Sequence, residues 1–132
     1  MANRLELVLK ELIQNGGFSA ALFSTNTGLV LASSKEEGKD ERVIAAMSSL
    51  LTDAALKVSE EMELTNPKLM KIFFDDEYII CRHIHFEDND SSFLLTVLTK
   101  LPDSEDIEKY IDQLVDWAVE NASDDLLKLS SI

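Results

Sequence analysis

The sequence has 132 residues, enough for one domain, and 45% of them are hydrophobic, enough for an ordinary core. Its 25 acidic and 12 basic residues give a net charge of −13, which argues against binding to nucleic acid and to anionic membranes. The single cysteine excludes an internal disulfide bond and favours a reducing, cytoplasmic location.

The N-terminal segment carries charges between Arg4 and Glu11, so it is typical neither of a signal peptide nor of a membrane span. We expect no direct membrane insertion. Asn3 can cap a short amphipathic helix over residues 4–15, which two glycines end. Two apolar runs around the turn TNTG then predict a β-hairpin. The first run, FSAALFS, is apolar on both faces, which indicates a central strand.

The stretch from Asp40 to Leu64 predicts a long helix with few charges. At about 100° per residue, one broad apolar face is expected to pack on the sheet, formed by Val43, Met47, Leu50, Leu51, Ala54 and Val58. Beside it runs a stripe of mostly small and hydroxyl residues, formed by Ala45, Ser48, Thr52, Leu56 and Ser59. Because the solvated edge is narrow, we expect a second copy of the chain to cover this stripe. The alternative is an exposed helix flank filled by Ser and Thr.

Three strands follow Pro67, which ends the helical pattern. They are predicted at Leu69 to Phe74, Tyr78 to Phe86 and Ser92 to Thr99, and short acidic turns join them into an antiparallel meander. On the first of these strands Lys71 could protect a free edge. Leu69 and Phe73 on the same side are poorly suited to solvent, so this edge also needs a cover.

A final helix is capped by Asp103 or Ser104 and has an apolar face that ends near Ala122. The predicted single domain therefore covers residues 1–122, and residues 123–132 form a C-terminal tail that docks weakly. The element order is helix, strand, strand, long helix, three strands, helix. It predicts an α+β fold in which helices sandwich a five-stranded antiparallel sheet.

This pattern resembles the Roadblock/dynein light chain domain family from Leu5 to Val119. The likeness rests on LELVLKELIQNGGFSAALFSTNTGLVLASS, on the helix rich in Ala, Ser and Leu, and on the meander. Longin and profilin-like domains share the hairpin, helix and meander, but the starting helix favours Roadblock. The resemblance implies a homodimer, or a heterodimer with a Roadblock-like sister subunit, in which the long helices pack antiparallel and the first meander strands join two sheets. It also implies a Ras-like small GTPase as partner.

The predicted dimer interface combines the hydroxyl stripe of the long helix with the first meander strand. Its residues are Ala45, Ser48, Ser49, Thr52, Leu56, Ser59, Leu69, Lys71 and Phe73. If the dimer accelerates GTP hydrolysis, the preferred mechanism is ordering of the GTPase switch segments, and scaffolding without acceleration is the second. Arg42 alone has a reach resembling that of an arginine finger, but pairing with neighbouring carboxylates is the favoured interpretation.

Candidate chemical sites are weak. Cys81, His83 and His85 share one strand face at intervals of about 6.6 Å, but no second cysteine completes a zinc tetrahedron, so hydrogen-bonded histidines are the preferred interpretation. No nucleophile motif or phosphate loop is present. We expect a non-enzymatic protein without metal or cofactor. The alternative is a sensory or ligand-binding module, although the bulky phenylalanines are more typical of a filled core.

Overall fold

The computed structural model describes residues 3–87 and 90–130, and it contains three helices and five strands. In chain order these are α1 (Arg4–Gly16), β1 (Ala20–Thr25), β2 (Val30–Lys35), α2 (Glu41–Glu61), β3 (Leu69–Phe73), β4 (Glu77–Phe86), β5 (Ser91–Lys100) and α3 (Glu105–Ser130). The strands form one antiparallel sheet in the order β2-β1-β5-β4-β3. The predicted α+β architecture and element order are confirmed.

Local signals set the ends of α1 as predicted. The Asn3 side chain accepts a hydrogen bond from the backbone N–H of Glu6 at 2.8 Å, which satisfies one of the free donors at the helix start. Gly17 ends the helix with a φ of 65°, and its N–H donates to the carbonyl of Ile13 at 2.8 Å. Glycine adopts this left-handed conformation without steric cost, so the chain can turn directly into β1.

The main core lies between the sheet and the pair α1 and α3. Strand β1 runs between β2 and β5, and its residues from Ala20 to Ser24 are all buried, as predicted for a central strand. On the α1 and α3 side, the sheet contributes large side chains such as Phe23, Tyr78 and Leu95. Helix α3 covers them with Ile111, Val115, Ala118, Ala122 and Leu126.

Helix α3 does not end near Ala122, where the sequence predicts the start of a tail. It continues to Ser130, and Leu126 is fully buried in the core against the other helix and the sheet. The apolar spacing from Ala122 to Leu126 is four residues, so the helical stripe simply extends by one turn. Residues 123–130 are therefore part of the folded body. The tail positions 131 and 132 lie outside the described residues.

Candidate interface on the long helix and the edge strand

The face of α2 that packs on the sheet is made of small and hydroxyl residues. Ser48 is 3% exposed, and its Oγ lies 2.8 Å from Oγ1 of Thr96 on β5 and donates to the carbonyl of Ile44 at 2.8 Å. Thr52 is 1% exposed, with its Oγ1 3.8 Å from Sγ of Cys81 on β4. The hydroxyl of Ser48 thus pairs with Thr96 and with the helix backbone, and that of Thr52 with the Cys81 sulfur, so their burial is not penalised by lost hydrogen bonds.

The two faces of α2 are the reverse of those that the sequence predicts. The stripe expected to meet a second copy is buried on the sheet at Ala45, Ser48, Ser49, Thr52 and Ser59, and Leu56 is half-buried. The physical reason is the sheet itself, because Thr96 is buried within β5 and needs a hydroxyl partner. Small side chains on the helix also allow close approach to the strands. A threonine inside the apolar run FLLTVL was the signal that could have revealed this arrangement.

The large apolar side chains of α2 consequently point to solvent. They are between 50% and 70% exposed and follow one face over the length of the helix, at Val43, Met47, Leu50, Val58 and Met62. We call this surface the apolar face of α2. A continuous stripe of this kind is unusual on a monomer and is typical of a protein interface. Leucine and methionine at helical spacing also provide the contacts by which two helices pack.

Strand β3 is the edge of the sheet beside this helix. The N–H of His83 donates to the carbonyl of Lys68 at 2.9 Å, and the N–H of Phe74 donates to the carbonyl of Glu77 at 2.8 Å. Because backbone groups alternate along an antiparallel strand, the even-numbered residues of β3 face β4. The odd-numbered residues direct their N–H and C=O groups away from the sheet, and these are Leu69, Lys71 and Phe73.

Lys71 is tied to α3 rather than directed into solvent. Its Nζ lies 3.2 Å from a carboxylate oxygen of Glu108 and 2.9 Å from one of Asp112. Burial opposes the charge of Lys71, but the hydrogen bonds to Asp112 and Glu108 outweigh it, and the pKa of the ammonium is raised. Leu69 and Phe73 are 42% and 56% exposed, and the Phe73 ring stacks on that of Tyr78 at 5.0 Å. The edge therefore combines a neutralised cation with two exposed apolar side chains.

A groove of about 750 Å³ joins the two surfaces. One side is the C-terminal half of α2, with Ala55 and Val58, and the other is the start of β3, with Leu69 and Met70. Helix α2 packs mainly on β1, β2 and β5, so it leaves this part of the sheet open. The apolar face of α2, the groove and the free edge of β3 thus form one continuous region.

Arg42, the predicted GTPase contact, lies at the start of α2. Its side chain is 85% exposed, and its Nε is 3.8 Å from a carboxylate oxygen of Asp40. Asp40 also caps the helix by accepting a hydrogen bond from the Arg42 N–H at 3.0 Å. Such an exposed pair adds little to stability, so the guanidinium can leave Asp40 at small cost.

Cys81, His83 and His85 follow one strand face as predicted but have different surroundings. Cys81 is buried beneath α2, where burial raises the pKa of the thiol. Nδ1 of His83 lies 2.9 Å from the carbonyl of Pro67, and burial lowers the pKa of its imidazole. Nδ1 of His85 lies 3.0 Å from Oγ of Ser92. Within residues 3–87 and 90–130, no three His, Cys, Asp or Glu side chains are grouped to hold a metal ion.

Across the part of the chain that the structure describes, no helix is both long enough and apolar enough to cross a bilayer.

Comparisons with known proteins reveal similarity at the level of structure. No protein-family model and no curated protein matches the sequence. Myxococcus xanthus MglB has a TM-score of 0.81 and 9% identity, over 96% of this chain and 97% of MglB. A Roadblock/LC7 domain from Streptomyces avermitilis has a TM-score of 0.80 and 14% identity, over 95% of this chain and 99% of that domain.

A third solved structure, MglB with tetrameric arrangement, has a TM-score of 0.70 and 12% identity, over 94% of each chain. Each of these similarities extends over nearly the whole chain, including the three helices and the complete sheet. At such low identities they concern the course of the backbone and not the side chains at any site. The protein whose apolar helix face and free strand edge are described above has the Roadblock/LC7 fold.

Proposed function

We propose that this protein is a dimeric, non-enzymatic regulator or scaffold for a Ras-like small GTPase. The observation that carries the proposal is the apolar face of α2 lying beside the free edge of β3, in a chain with the Roadblock/LC7 fold. Two exposed features that each need a cover lie next to one another, and one partner can cover both. A second copy offers the same two features in return, as a twofold interface requires.

The free edge of β3 suits an antiparallel pairing with the β3 strand of the second copy. In the register that pairs all five residues, Leu69 lies opposite Phe73 of the other copy, and the two Lys71 side chains lie opposite each other. Leu69 and Phe73 then cover each other's exposed apolar surface. Two opposed lysines alone would repel. Here each is already neutralised by Glu108 and Asp112 of its own chain, which removes most of that cost.

The same twofold axis brings the two α2 helices together antiparallel, with their apolar faces in contact. Leu50 lies near the middle of this face and is 70% exposed, so it would lie close to the axis. The tetrameric arrangement of the similar MglB structure supports self-association as a property of this fold. The same surface can also receive a Roadblock-like sister subunit with a matching helix, and such a heterodimer is the second form of the proposal.

The GTPase partner follows from the resemblance of the sequence to the Roadblock family, and the Roadblock/LC7 fold of the chain supports it. We propose that the dimer acts by ordering the switch segments of the GTPase, because it can present a rigid surface across its twofold axis. Arg42 could contribute a charge at the phosphates, yet its place at an exposed helix cap is explained by Asp40 alone. Scaffolding without acceleration is the remaining form of this function.

The test uses purified Ras-like GTPases from the source organism, each loaded with GDP or with a non-hydrolysable GTP analogue. We expect one of them to bind the dimer with a preference for one nucleotide state. Single-turnover GTP hydrolysis by that GTPase is then measured with the wild type and with Arg42→Ala. Switch ordering predicts that Arg42→Ala changes the rate less than about tenfold, whereas loss of an acceleration of about 10³ would make Arg42 the catalytic group.

Failure of every GTPase to bind in either state, with a dimer confirmed by its mass, would refute the GTPase part of the proposal. A monomer at all concentrations would refute the dimer part. A matched control is Arg4→Ala, because Arg4 is also exposed but lies on α1, on the opposite side of the sheet.

A further inference from the structure

A second groove, of about 760 Å³, opens where β4 continues past the start of β3. The two strands pair only as far as Leu69 opposite Arg82, whereas β4 continues to Phe86. Among the residues that the structure describes, no strand lies beside Ile84, His85 and Phe86 on that side. The groove thus occupies the place that an N-terminal extension of β3 would fill.

The segment between α2 and β3 forms the outer border of this groove, and His83 of β4 holds it by two hydrogen bonds. The N–H of His83 donates to the carbonyl of Lys68, and Nδ1–H of its ring donates to the carbonyl of Pro67, both at 2.9 Å. Before Pro67, the residues Leu64, Thr65 and Asn66 border the groove and are not part of the ladder between β3 and β4. By the alternation of backbone groups, the N–H and C=O of His85 point into the groove. These are the groups with which an added strand forms hydrogen bonds.

The two walls of the groove differ in chemistry because side chains alternate along β4. On the α3 side the wall is apolar, with Ile84, Phe86 and Val119. On the α2 side it is polar, with Lys68, His83 and His85. Lys68 is exposed, and it lies on the same face as His83 because the two residues are opposite each other in the extended ladder. A strand placed here would meet these two walls with alternate residues.

Lys68 gives one end of this groove a positive charge. The chain has a net charge of −13, and the groove lining contains the cations Lys68 and Arg82 and the carboxylate of Glu87, while Asp90 lies 3.6 Å from Nε2 of His85 at the other end. Arg82 is held by Asp116 at 2.6 Å, so Lys68 is the cation available to a ligand. An acidic side chain placed beside Lys68 is thus attracted by that ammonium group, whereas the net charge of the protein repels it elsewhere.

We propose that this groove binds a short extended peptide segment of a partner protein, in which an acidic residue stands between two apolar residues. The peptide adds to β4 in line with β3 and forms backbone hydrogen bonds with His85. Its apolar residues contact Ile84 and Phe86, and its acidic residue faces Lys68. This site goes beyond the proposed dimer and GTPase contact, because it uses the edge of β4 rather than that of β3. The length from Ile84 to Glu87 limits the bound segment to about four residues, or about 13 Å.

The test uses a fluorescein-labelled peptide, Gly-Ser-Val-Glu-Val-Ser-Gly, and the full-length protein. We expect saturable binding with a dissociation constant below about 1 mM, measured by fluorescence anisotropy. Two control peptides are used. One carries Val-Lys-Val at the centre, which reverses the charge, and the other carries Glu-Val-Glu, which reverses the alternation of apolar and acidic residues. Each should bind about fivefold more weakly, since one exposed charge pair contributes up to about 1 kcal/mol.

Variants of the protein locate the site. Lys68→Glu should weaken binding of the Val-Glu-Val peptide about fivefold and strengthen binding of the Val-Lys-Val peptide. Lys109→Glu makes the same charge change at an exposed position of α3 and should alter neither by more than about twofold. In amide NMR spectra, the His85 signal should shift on peptide binding. The Cys81 amide has the same orientation along β4 but is already opposite Met70 of β3, so its signal should move less.

Three results would overturn the proposal. The first is no saturable binding of the Val-Glu-Val peptide, and the second is equal affinity for the Val-Lys-Val peptide. The third is binding that Lys68→Glu leaves unchanged while the amide shifts cluster away from His85. The dimer mass and GTPase binding are measured on the same Lys68→Glu sample, so that failure of this site is distinguished from failure of the proposed function.

Discussion

Helices α2 and α3 lie on opposite faces of one sheet and bury opposite kinds of side chain. Helix α3 packs on the sheet with Ile111, Val115 and Leu126 and leaves mostly charged residues in solvent. Helix α2 packs with Ser48 and Thr52 and leaves its large apolar side chains exposed. Both helices are amphipathic, so the difference lies in the strands beneath them. Periodicity therefore identifies the stripes of a helix, and the opposing surface decides which stripe is covered.

The two faces of the sheet explain this choice. Toward α3 the strands present a hydrophobic surface that includes Phe23, Tyr78 and Leu95. Toward α2 they present Thr96 and Cys81, whose side chains accept or donate hydrogen bonds. A hydroxyl stripe supplies partners for these groups, whereas leucine and methionine would leave them only the weak contact between Oγ1 of Thr96 and Sγ of Cys81 at 3.8 Å. The apolar face of α2 is thereby left exposed to solvent.

The largest expected effect is that of a charge placed in the small-residue contact of α2. Thr52→Glu puts a carboxylate at a position that is 1% exposed and lies against Cys81, so we expect a loss of at least about 3 kcal/mol in the free energy of unfolding. Lys57→Glu makes a charge change on the exposed edge of the same helix and should alter it by no more than about 0.5 kcal/mol. Urea unfolding followed by circular dichroism measures both.

Equal stabilities of the two variants would mean that α2 does not pack with its hydroxyl stripe inward. The apparent stability of a dimer depends on protein concentration, so each unfolding curve is recorded at two concentrations. A loss that disappears on dilution belongs to assembly. A loss that persists on dilution belongs to the fold of each chain, as expected for Thr52→Glu.

The second effect is on assembly and concerns the exposed face of α2. Leu50→Asp should raise the dimer dissociation constant about 100-fold or more, because a charge at the centre of an apolar interface is desolvated without a partner. Leu29→Asp makes the same change at a leucine that is 68% exposed, against 70% for Leu50, but lies in the β1–β2 turn. It should leave the dissociation constant within about threefold. Light scattering after size exclusion, over a range of concentrations, gives the masses.

A Leu50→Asp protein that keeps the dimer mass would place the dimer contact elsewhere, and the free edge of β3 would be the next surface to test. If both leucine variants are monomeric, the dimer interface extends beyond the apolar face of α2. Circular dichroism of Leu50→Asp is expected to match the wild type, since this side chain contributes little to the core of its own chain.

Much of the fold could be predicted because local signals are strong. Asn3, Gly17 and Pro67 mark element ends through capping, positive φ and the loss of a backbone donor. The alternation of apolar residues in the meander specifies antiparallel strands joined by short turns. The end of α3 was less predictable. Ala122 to Leu126 continues the apolar spacing, but a run of polar residues between them is also typical of a fraying helix end.

The candidate interface was predicted in part. Leu69 and Phe73 are exposed on an edge strand, and whether they contact a second copy stays a prediction. The ion pairs of Lys71 with α3 join residues 37 and 41 positions apart, and no local pattern indicates such long-range contacts. To predict which face of α2 is buried, one must know which strand residues lie beneath the helix. That information is held in the register of β1, β4 and β5 and not in the helix sequence.

The smallest expected effect is on pH dependence, and it tests the polar side of the sheet at His83. Burial lowers the pKa of this imidazole from about 6.5, so the folded protein binds its proton less readily than the unfolded chain does. The stabilisation by neutral His83 is complete above the unfolded pKa and is lost as the pH falls through the folded pKa. From about pH 7.5 to about pH 5.5, stability should decline, with a contribution from this residue of at most about 1.4 kcal/mol per pH unit.

His83→Asn separates this contribution from that of the carboxylates. The asparagine amide can donate to the Pro67 carbonyl in place of the Nδ1–H group, but it does not titrate. Thermal unfolding of both proteins at the two pH values should therefore give a smaller decline for His83→Asn than for the wild type. An identical decline would mean that His83 is protonated equally well in the folded and unfolded chains. His83 would then be exposed to solvent in the folded chain. The segment between α2 and β3 would not cover it, contrary to what the hydrogen bond from its ring to Pro67 indicates.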